Sequence, residues 1–278
     1  MPEFSRDVHF SRLIQDQIDQ VDLATVALEI ARDEYPELDI SDWRGRLDRM
    51  GVQVRERVSS GEAPTVLIRH VNQFLFVEEG YRGNRGEYYD PRNSFLNDVI
   101  ERKLGIPITL SLIYLAVADR VGLRLQGVGM PAHFILKFQQ PGCEVFIDPF
   151  HCGEILTREA CELRVSQVVG MPVTLEPEQL EPAPFGQVVL RLLGNLKGIY
   201  LKQEDCVRAL RVQERIFALN RSASSELRDL GVLYLRNDRP SKAIELLENY
   251  LEIEPAADDK ETVQTIIKAA RRLHTSMN

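Results

Sequence analysis

Residues 94 to 149 constrain the fold of this chain most strongly, because their hydrophobic period changes partway along. The first half is helical in pattern, with one helix starting after Ser94 and a second starting at Pro107. The second helix is apolar on nearly every side, which predicts that it is buried in the centre of a domain. Residues 124 to 149 then follow a period of two, which predicts antiparallel strands with QQPG as a turn. Since residues 10 to 80 are helical in pattern, we expect an α+β fold: a mostly helical part with a small antiparallel sheet.

The strands AHFILKF and CEVFID bring two polar side chains together. A turn within QQPG pairs Lys137 with Glu144, a favourable cross-strand charge match, and places His133 opposite Asp148 with Cβ atoms about 5 Å apart. A carboxylate beside an imidazole fixes its tautomer and raises its basicity, which is how a general base is oriented. A buried hydrogen bond that only pins the hairpin is the structural alternative, and both readings stay open at this point.

The start of the second helix is the natural place for a nucleophile, because the helix dipole stabilises a thiolate there. Pro107 occupies this position, and its missing N–H costs nothing in a first helical turn. Thr109 and Ser111 carry the nearest hydroxyl groups and are candidate catalytic residues together with His133 and Asp148. Their hydroxyls are equally explained as hydrogen-bond donors to carbonyl groups of their own helix.

The four cysteines form no CxxC pair, so their spacing predicts no zinc site, and we expect no metal and no cofactor. Cys152 follows Asp148 closely enough to approach the candidate site, and so does His151. The first seventeen residues contain no apolar run of signal-peptide length, and no segment approaches the roughly 20 apolar residues of a membrane span. These features predict a cytoplasmic protein with free thiols and no membrane contact.

The net charge of −8 and the pI near 5.3 argue against nucleic-acid binding, because an acidic surface repels phosphate. The strongest basic cluster lies in the last helix, where the helix dipole and solubility explain it. The expected partner is therefore a protein or peptide rather than nucleic acid. The sequence predicts neither the identity of this partner nor the oligomeric state.

A second domain is indicated by a 34-residue repeat, since residues of one segment recur in the next. We expect residues 1–171 to form the first domain and the Pro- and Glu-rich segment 172–185 to be a linker. Residues 186–278 then form an all-α tetratricopeptide-like region, with 261–275 as the capping helix that such arrays need. The recurring residues are Leu196, Tyr200 and Ala209, which correspond to Leu230, Tyr234 and Ala243.

Three motifs, NSFLNDVIERKLGIPITLSLIYLAVADRVGL, GVGMPAHFILKF and VFIDPFHCGEIL, resemble the SirB1 family of transglutaminase-like proteins. The resemblance covers about residues 10 to 165, and the repeats match the tetratricopeptide region that often follows in that family. It implies a papain-like fold whose catalytic order is Cys at a helix start, His on a strand and Asp on the next strand. His133 and Asp148 match the last two positions, and Pro107 stands where the Cys would be.

The favoured hypothesis is a non-catalytic transglutaminase-like protein that acts as a cytoplasmic protein-interaction or regulatory module. The alternative is an active amide or ester hydrolase or acyltransferase, in which the His133–Asp148 pair serves Thr109, Ser111 or Cys152 as the nucleophile. A purely structural scaffold without a functional cleft is the third possibility.

Overall fold

The computed structural model describes residues 4–277, which form two compact units. The first unit spans Arg6–Leu192, and the second contains residues 193–277 together with Phe4 and Ser5. The boundary between these units falls inside a helix, Phe185–Lys202, whereas the sequence analysis expected a linker at 172–185 and a helical region from 186. None of the helices formed by the described residues is both long and apolar enough to cross a lipid bilayer.

The first unit is mostly helical, as predicted. A π-helical turn, Gln73–Glu78, continues the fourth helix. The helices of this unit up to the boundary helix are α1 Val8–Ile14, α2 Leu23–Ala31, α3 Ile40–Arg55, α4 Pro64–Asn72, α5 Leu96–Arg102, α6 Pro107–Arg120 and α7 Arg158–Val169.

Helix α6 is the predicted central helix, and its residues are buried from Pro107 through Ile113. Helices α3, α4 and α5 all pack against it, as does the longest strand of the sheet. Ile106 is the N-cap and Pro107 the first helical residue, so the missing N–H falls where no intrahelical partner exists. The apolar surface of this one helix therefore organises the hydrophobic core of the first unit.

The sheet has four antiparallel strands in the order β3-β4-β5-β6, and β1 pairs with β2 in a separate parallel ribbon. The strands are β1 Arg82–Gly83, β2 Leu104–Gly105, β3 Gln126–Met130, β4 His133–Gln140, β5 Cys143–Asp148 and β6 Glu154–Leu156. On one face of the sheet, Val128, Ile135 and Phe146 pack against Cys161 and Val165 of α7. The predicted fold class, a small antiparallel sheet in a mostly helical unit, is confirmed.

The register of the β4–β5 hairpin differs by two residues from the prediction. Lys137 lies opposite Phe146 rather than Glu144, because the turn is formed by Pro141 and Gly142. Gly142 adopts φ +77°, a left-handed conformation that glycine accepts without strain, and this moves the turn centre one residue along the chain. A shift of two residues keeps every side chain on its face of the sheet, so it does not separate His133 from its predicted carboxylate partner.

Segment 172–185 packs on the sheet instead of forming a linker. Leu175 and Leu180 are buried in the same cluster as the strand residues, and Ala183 donates its N–H to the carbonyl of Gly127 at 2.8 Å. The fully buried Lys137 ammonium donates to the Leu180 carbonyl at 3.2 Å. Prolines made this segment resemble a linker, but its leucines supply apolar area that outweighs the cost of ordering it.

The second unit contains the predicted helical repeats. All six recurring residues are buried, and Gly231 of the second repeat lets Leu247 approach, since a Cβ there would lie 2.8 Å from Leu247 Cγ. The predicted capping helix is present as α12. The helices from the boundary onward are α8 Phe185–Lys202, α9 Cys206–Leu219, α10 Ser224–Arg236, α11 Pro240–Ile253 and α12 Lys260–Met277.

Candidate functional site

His133 and Asp148 meet as predicted by their shared face of the sheet. His133 is the first residue of β4 and Asp148 the last of β5, and His133 Nε2 lies 2.9 Å from Asp148 Oδ2. Both side chains are buried, with 3% and 0% of their surfaces exposed. The pairing is diagonal rather than directly cross-strand, which follows from the register described above.

A second imidazole shares the same carboxylate. His151 Nδ1 lies 2.7 Å from Asp148 Oδ2, on a 3₁₀ turn, Pro149–His151, that Asp148 itself caps. The other oxygen, Asp148 Oδ1, accepts the backbone N–H groups of Phe150 at 3.1 Å and His151 at 3.3 Å. The guanidinium Nε of Arg164, on α7, lies 3.4 Å from Oδ2. One carboxylate therefore connects two strands, the turn after β5 and helix α7.

The pKa of Asp148 lies well below its ordinary value. Burial alone would raise this pKa, but hydrogen bonds from His133 and His151 and the charges of both rings favour the ionised form and outweigh burial. Each imidazole then donates to the carboxylate, His133 through Nε2 and His151 through Nδ1. Among the described residues, His133 Nδ1 has no hydrogen-bond partner.

Two aromatic rings, those of Phe150 and His151, pack against the His133 imidazole. Phe150 meets it edge to face with ring centroids 6.2 Å apart, and Tyr88 meets Phe150 in the same way at 6.2 Å. The His151 ring lies 5.8 Å from that of His133. Tyr88 belongs to the segment that connects β1 to α5. This segment therefore contributes a wall beside the candidate site.

The same three polar residues have the composition of a metal site, but their arrangement does not fit a cation. One ligand atom each from His133, Asp148 and His151 lie within 4.8 Å of one another. Both short N–O distances are ordinary hydrogen bonds to a single oxygen. The Arg164 guanidinium next to that oxygen would repel a divalent ion. The cluster is therefore best described as a hydrogen-bond network around one buried anion.

Thr109 and Ser111, the predicted candidate nucleophiles, are fully buried and bonded within their own surroundings. Thr109 Oγ1 donates to the Asn93 carbonyl at 2.7 Å and accepts the Ile106 N–H at 3.1 Å. Ser111 Oγ donates to the Pro107 carbonyl, one helical turn back, at 2.8 Å. Within the described part of the chain, no hydroxyl or thiol hydrogen-bonds to His133.

The cysteines near the sheet do not replace the missing thiol. Cys152 is exposed and follows the turn that carries His151, but it makes no hydrogen bond to His133 or Asp148. Cys161 is buried against the sheet, and burial, with the charge of Asp148 as a second cause, raises the pKa of its thiol to about 12. This thiol is therefore protonated at neutral pH and is a poor nucleophile.

Thr109→Val tests the structural role of the Thr109 hydroxyl. We expect the free energy of unfolding of the first unit to fall by about 1–3 kcal/mol, because two buried backbone groups lose their partner while the volume is retained. Urea unfolding followed by the fluorescence of Trp43, the single tryptophan and part of this unit, measures the change. Thr174→Val at an exposed position is the control, with a change within about 0.5 kcal/mol. Equal effects of the two substitutions would contradict the assigned role.

Sequence reasoning missed two supports of the site. Arg164 carries no motif, and only the packing of α7 on the sheet brings it to Asp148. Asn72, at the end of α4, donates to the Gly153 carbonyl at 2.8 Å and accepts from the Tyr114 hydroxyl at 2.9 Å. It thus ties the loop after the 3₁₀ turn to the central helix. Gly153 offered a signal, since an unexplained glycine beside a candidate site suggests close approach.

Comparison with known proteins agrees with both units. The family model of the transglutaminase-like superfamily matches residues 41–194, and that of the tetratricopeptide repeat matches residues 196–268. The chain is 36% identical over 245 residues to a UPF0162 protein of Xylella fastidiosa, covering 87% of each chain. It is 25% identical over 250 residues to the UPF0162 protein YchA of Escherichia coli, covering 90% of this chain and 91% of that one. A 117-residue part, 39% of this chain, is 35% identical to 18% of mouse F-box only protein 21.

Proposed function

Because the chain belongs to the transglutaminase-like superfamily and continues into tetratricopeptide repeats, we propose that it is a non-catalytic protein-interaction or regulatory module that works in the cytoplasm. The observation that carries this proposal is the start of α6. Pro107 occupies the position where the resemblance to the family places a cysteine, and the residue has neither a nucleophilic side chain nor an N–H. The imidazole and carboxylate that would serve such a cysteine are both retained.

A general base needs a nucleophile within hydrogen-bond reach, directly or through one water. Among the described residues, His133 has no hydroxyl or thiol partner. The hydrolase alternative would require Thr109 or Ser111 to give up buried backbone hydrogen bonds, or Cys152 to swing in from an exposed position. Each of these changes costs free energy before any chemistry begins. These costs favour a role for His133 and Asp148 in holding the fold.

The repeat region supports binding as the activity. Tetratricopeptide arrays present concave surfaces that bind other proteins. Here two ion pairs connect α8 to α10 and α10 to the residue that precedes α12: Lys197 Nζ lies 2.7 Å from Asp229, and Arg228 Nη1 lies 2.8 Å from Asp259. Such a network orders the array in a fixed geometry, which lowers the entropic cost of binding a partner.

Reconstitution of a complex from purified components tests the proposal. The full chain, tagged and cross-linked in the cells that produce it, should capture a protein that then binds the purified chain with a saturable isotherm. The chain should return from the complex without covalent change in its mass or that of its partner. Failure of every captured protein to bind the purified chain, or cleavage or modification of the partner on mixing, would count against a non-catalytic binding role.

A further inference from the structure

One half-buried guanidinium of the first unit lacks an acidic partner. Arg191, near the start of α8, donates from Nη1 to the Met130 carbonyl at 2.8 Å, and its Cζ lies 5.9 Å from the centre of the Phe134 ring. No carboxylate of the described residues forms an ion pair with it. Burial lowers the pKa of Arg191, and the titratable group that acts on it is the phenol of Tyr88. Burial also raises the pKa of Tyr88, so this phenol is neutral and does not balance the charge.

The other buried cations near the sheet are balanced. Lys137 lies 3.2 Å from Glu144 and 3.2 Å from Glu181, and Arg164 lies within ion-pair distance of Asp148 and Glu154. Burying a cation without a counter-charge is costly, so proteins rarely leave one unpaired. An unpaired guanidinium that also retains free N–H donors is suited to bind a carboxylate from outside, since its fork matches carboxylate geometry.

Arg191 lies beside an open strand edge. Strand β3 is an edge of the sheet, and Gly127 uses its outward-facing carbonyl to accept the Ala183 N–H. Backbone groups two residues apart on a strand face the same edge, so the N–H and C=O of Gly129 also face outward. Within the described residues these two groups have no partner on that side, and Gly129 is exposed. A Cβ at Gly129 would lie 3.4 Å from Arg191 Nη1, so the edge and the guanidinium are adjacent.

We propose that the Gly129 edge of β3 and the Arg191 guanidinium form a binding site for an extended peptide that carries a carboxylate. The peptide pairs with the main chain of Gly129, and its carboxylate binds Arg191. This mode combines main-chain hydrogen bonds along a sheet edge with one charged anchor that selects the ligand. The inference rests on the proposed binding function and names the chemistry of the partner.

The proposed peptide-binding site lies at the same end of the sheet as His133. Met130, whose carbonyl accepts from Arg191, pairs with His133 across the β3–β4 turn. A peptide on this edge would be separated by β3 from β4, the strand that carries His133, and it would not require the imidazole to react. The whole chain is acidic, but the local charge favours such a ligand. Among the described residues, no acidic side chain pairs with Arg191, so none competes with the peptide carboxylate for it.

A peptide array tests the proposal on the unmodified protein. The probes are acetylated octapeptides of Ala, Val and Thr in four forms: with one central Glu or Gln, and with a free or an amidated C-terminus. Full-length wild-type protein should bind the forms with a carboxylate about tenfold or more tightly than the uncharged form. Preference for the Glu forms assigns the carboxylate to a side chain, and preference for the free C-termini assigns it to a chain end. Equal binding of all four forms would overturn the proposal while leaving the proposed function intact.

Variants locate the contact. Arg191→Gln should remove the preference for a carboxylate, and Arg191→Lys should keep part of it, because the charge remains but the fork is lost. Arg124→Gln, at an exposed arginine that precedes β3, is the matched control and should bind like wild type. Gly129→Pro should weaken the binding of all four peptides, because it removes the outward N–H. Gly129→Ala keeps this N–H and should weaken binding less. Equal losses in Arg191→Gln and Arg124→Gln, with both folded by circular dichroism, would overturn the site. Failure of wild type to bind any octapeptide would overturn both the site and the peptide-binding form of the proposed function.

Discussion

Asp148→Ala is expected to lower the free energy of unfolding of the first unit by about 3–5 kcal/mol, which is the usual cost of removing one partner from a buried charged network. His133 would lose its only hydrogen-bond partner among the described residues, and the N–H groups of Phe150 and His151 would lose theirs. The measurement is urea unfolding followed by Trp43 fluorescence. Glu154→Gln, which removes the exposed partner of Arg164, should change the same quantity by no more than about 1 kcal/mol.

The contribution of Asp148 to the free energy of unfolding depends on pH with a defined sign. The folded-state pKa of Asp148 is lowered, so its contribution is complete above the unfolded-state value of about 3.9 and is lost as the pH falls below it. Asp148→Asn cannot ionise, so the difference in the free energy of unfolding between wild type and this variant should narrow as the pH falls from about 5 toward about 3. A gap that stays constant over this interval would mean that folding does not lower the pKa of Asp148, and a gap that widens would mean that the carboxyl group is protonated in the folded protein.

Gly153→Ala is expected to be the second most damaging substitution, at about 2–4 kcal/mol. Gly153 adopts φ +74°, where a Cβ costs about 1–2 kcal/mol, and that Cβ would lie 2.1 Å from Asn72 Oδ1. Asn72 would have to move, although it holds both the Gly153 carbonyl and the Tyr114 hydroxyl. Urea unfolding of the full chain measures the loss.

Gly142→Ala is the matched control for this prediction. Gly142 has nearly the same φ, +77°, but a Cβ there meets nothing within 4 Å. Its substitution should lower the free energy of unfolding by about 1–2 kcal/mol, which is the cost of placing a Cβ at a residue with positive φ. The difference between the two variants isolates the contact with Asn72. If Gly142→Ala proves as damaging as Gly153→Ala, the Asn72 contact does not hold the loop that carries His151.

The architecture was predictable where the sequence has a strong period. The apolar run after Pro107 predicted a central helix, and the alternating stretch that follows predicted the antiparallel strands. The exact register was not predictable, because the Lys137–Glu144 charge match is satisfied equally well by diagonal neighbours, which lie 3.2 Å apart in the structure. Segment 172–185 was misassigned because proline content describes local stiffness and says little about whether Leu175 and Leu180 find a core.

The sequence predicted only those members of the site that share one face of the sheet. Side chains on one face stay together through a shift of two residues, so the meeting of His133 and Asp148 survived the wrong register. Arg164 and Asn72 lie on separate helices, and their approach depends on tertiary packing that no local pattern encodes. His151 joins the site because Asp148 caps the 3₁₀ turn Pro149–His151, and this turn places the His151 ring beside the same carboxylate.

The central claim is that His133 and Asp148 remain as a structural pair without a nucleophile. Its most direct test is a sensitive turnover assay of the purified full chain and of His133→Ala on libraries of amides and esters. The account predicts that wild type shows no turnover above that of His133→Ala, with both proteins folded. Turnover by wild type that His133→Ala abolishes would contradict the claim and establish the chain as an active hydrolase or acyltransferase.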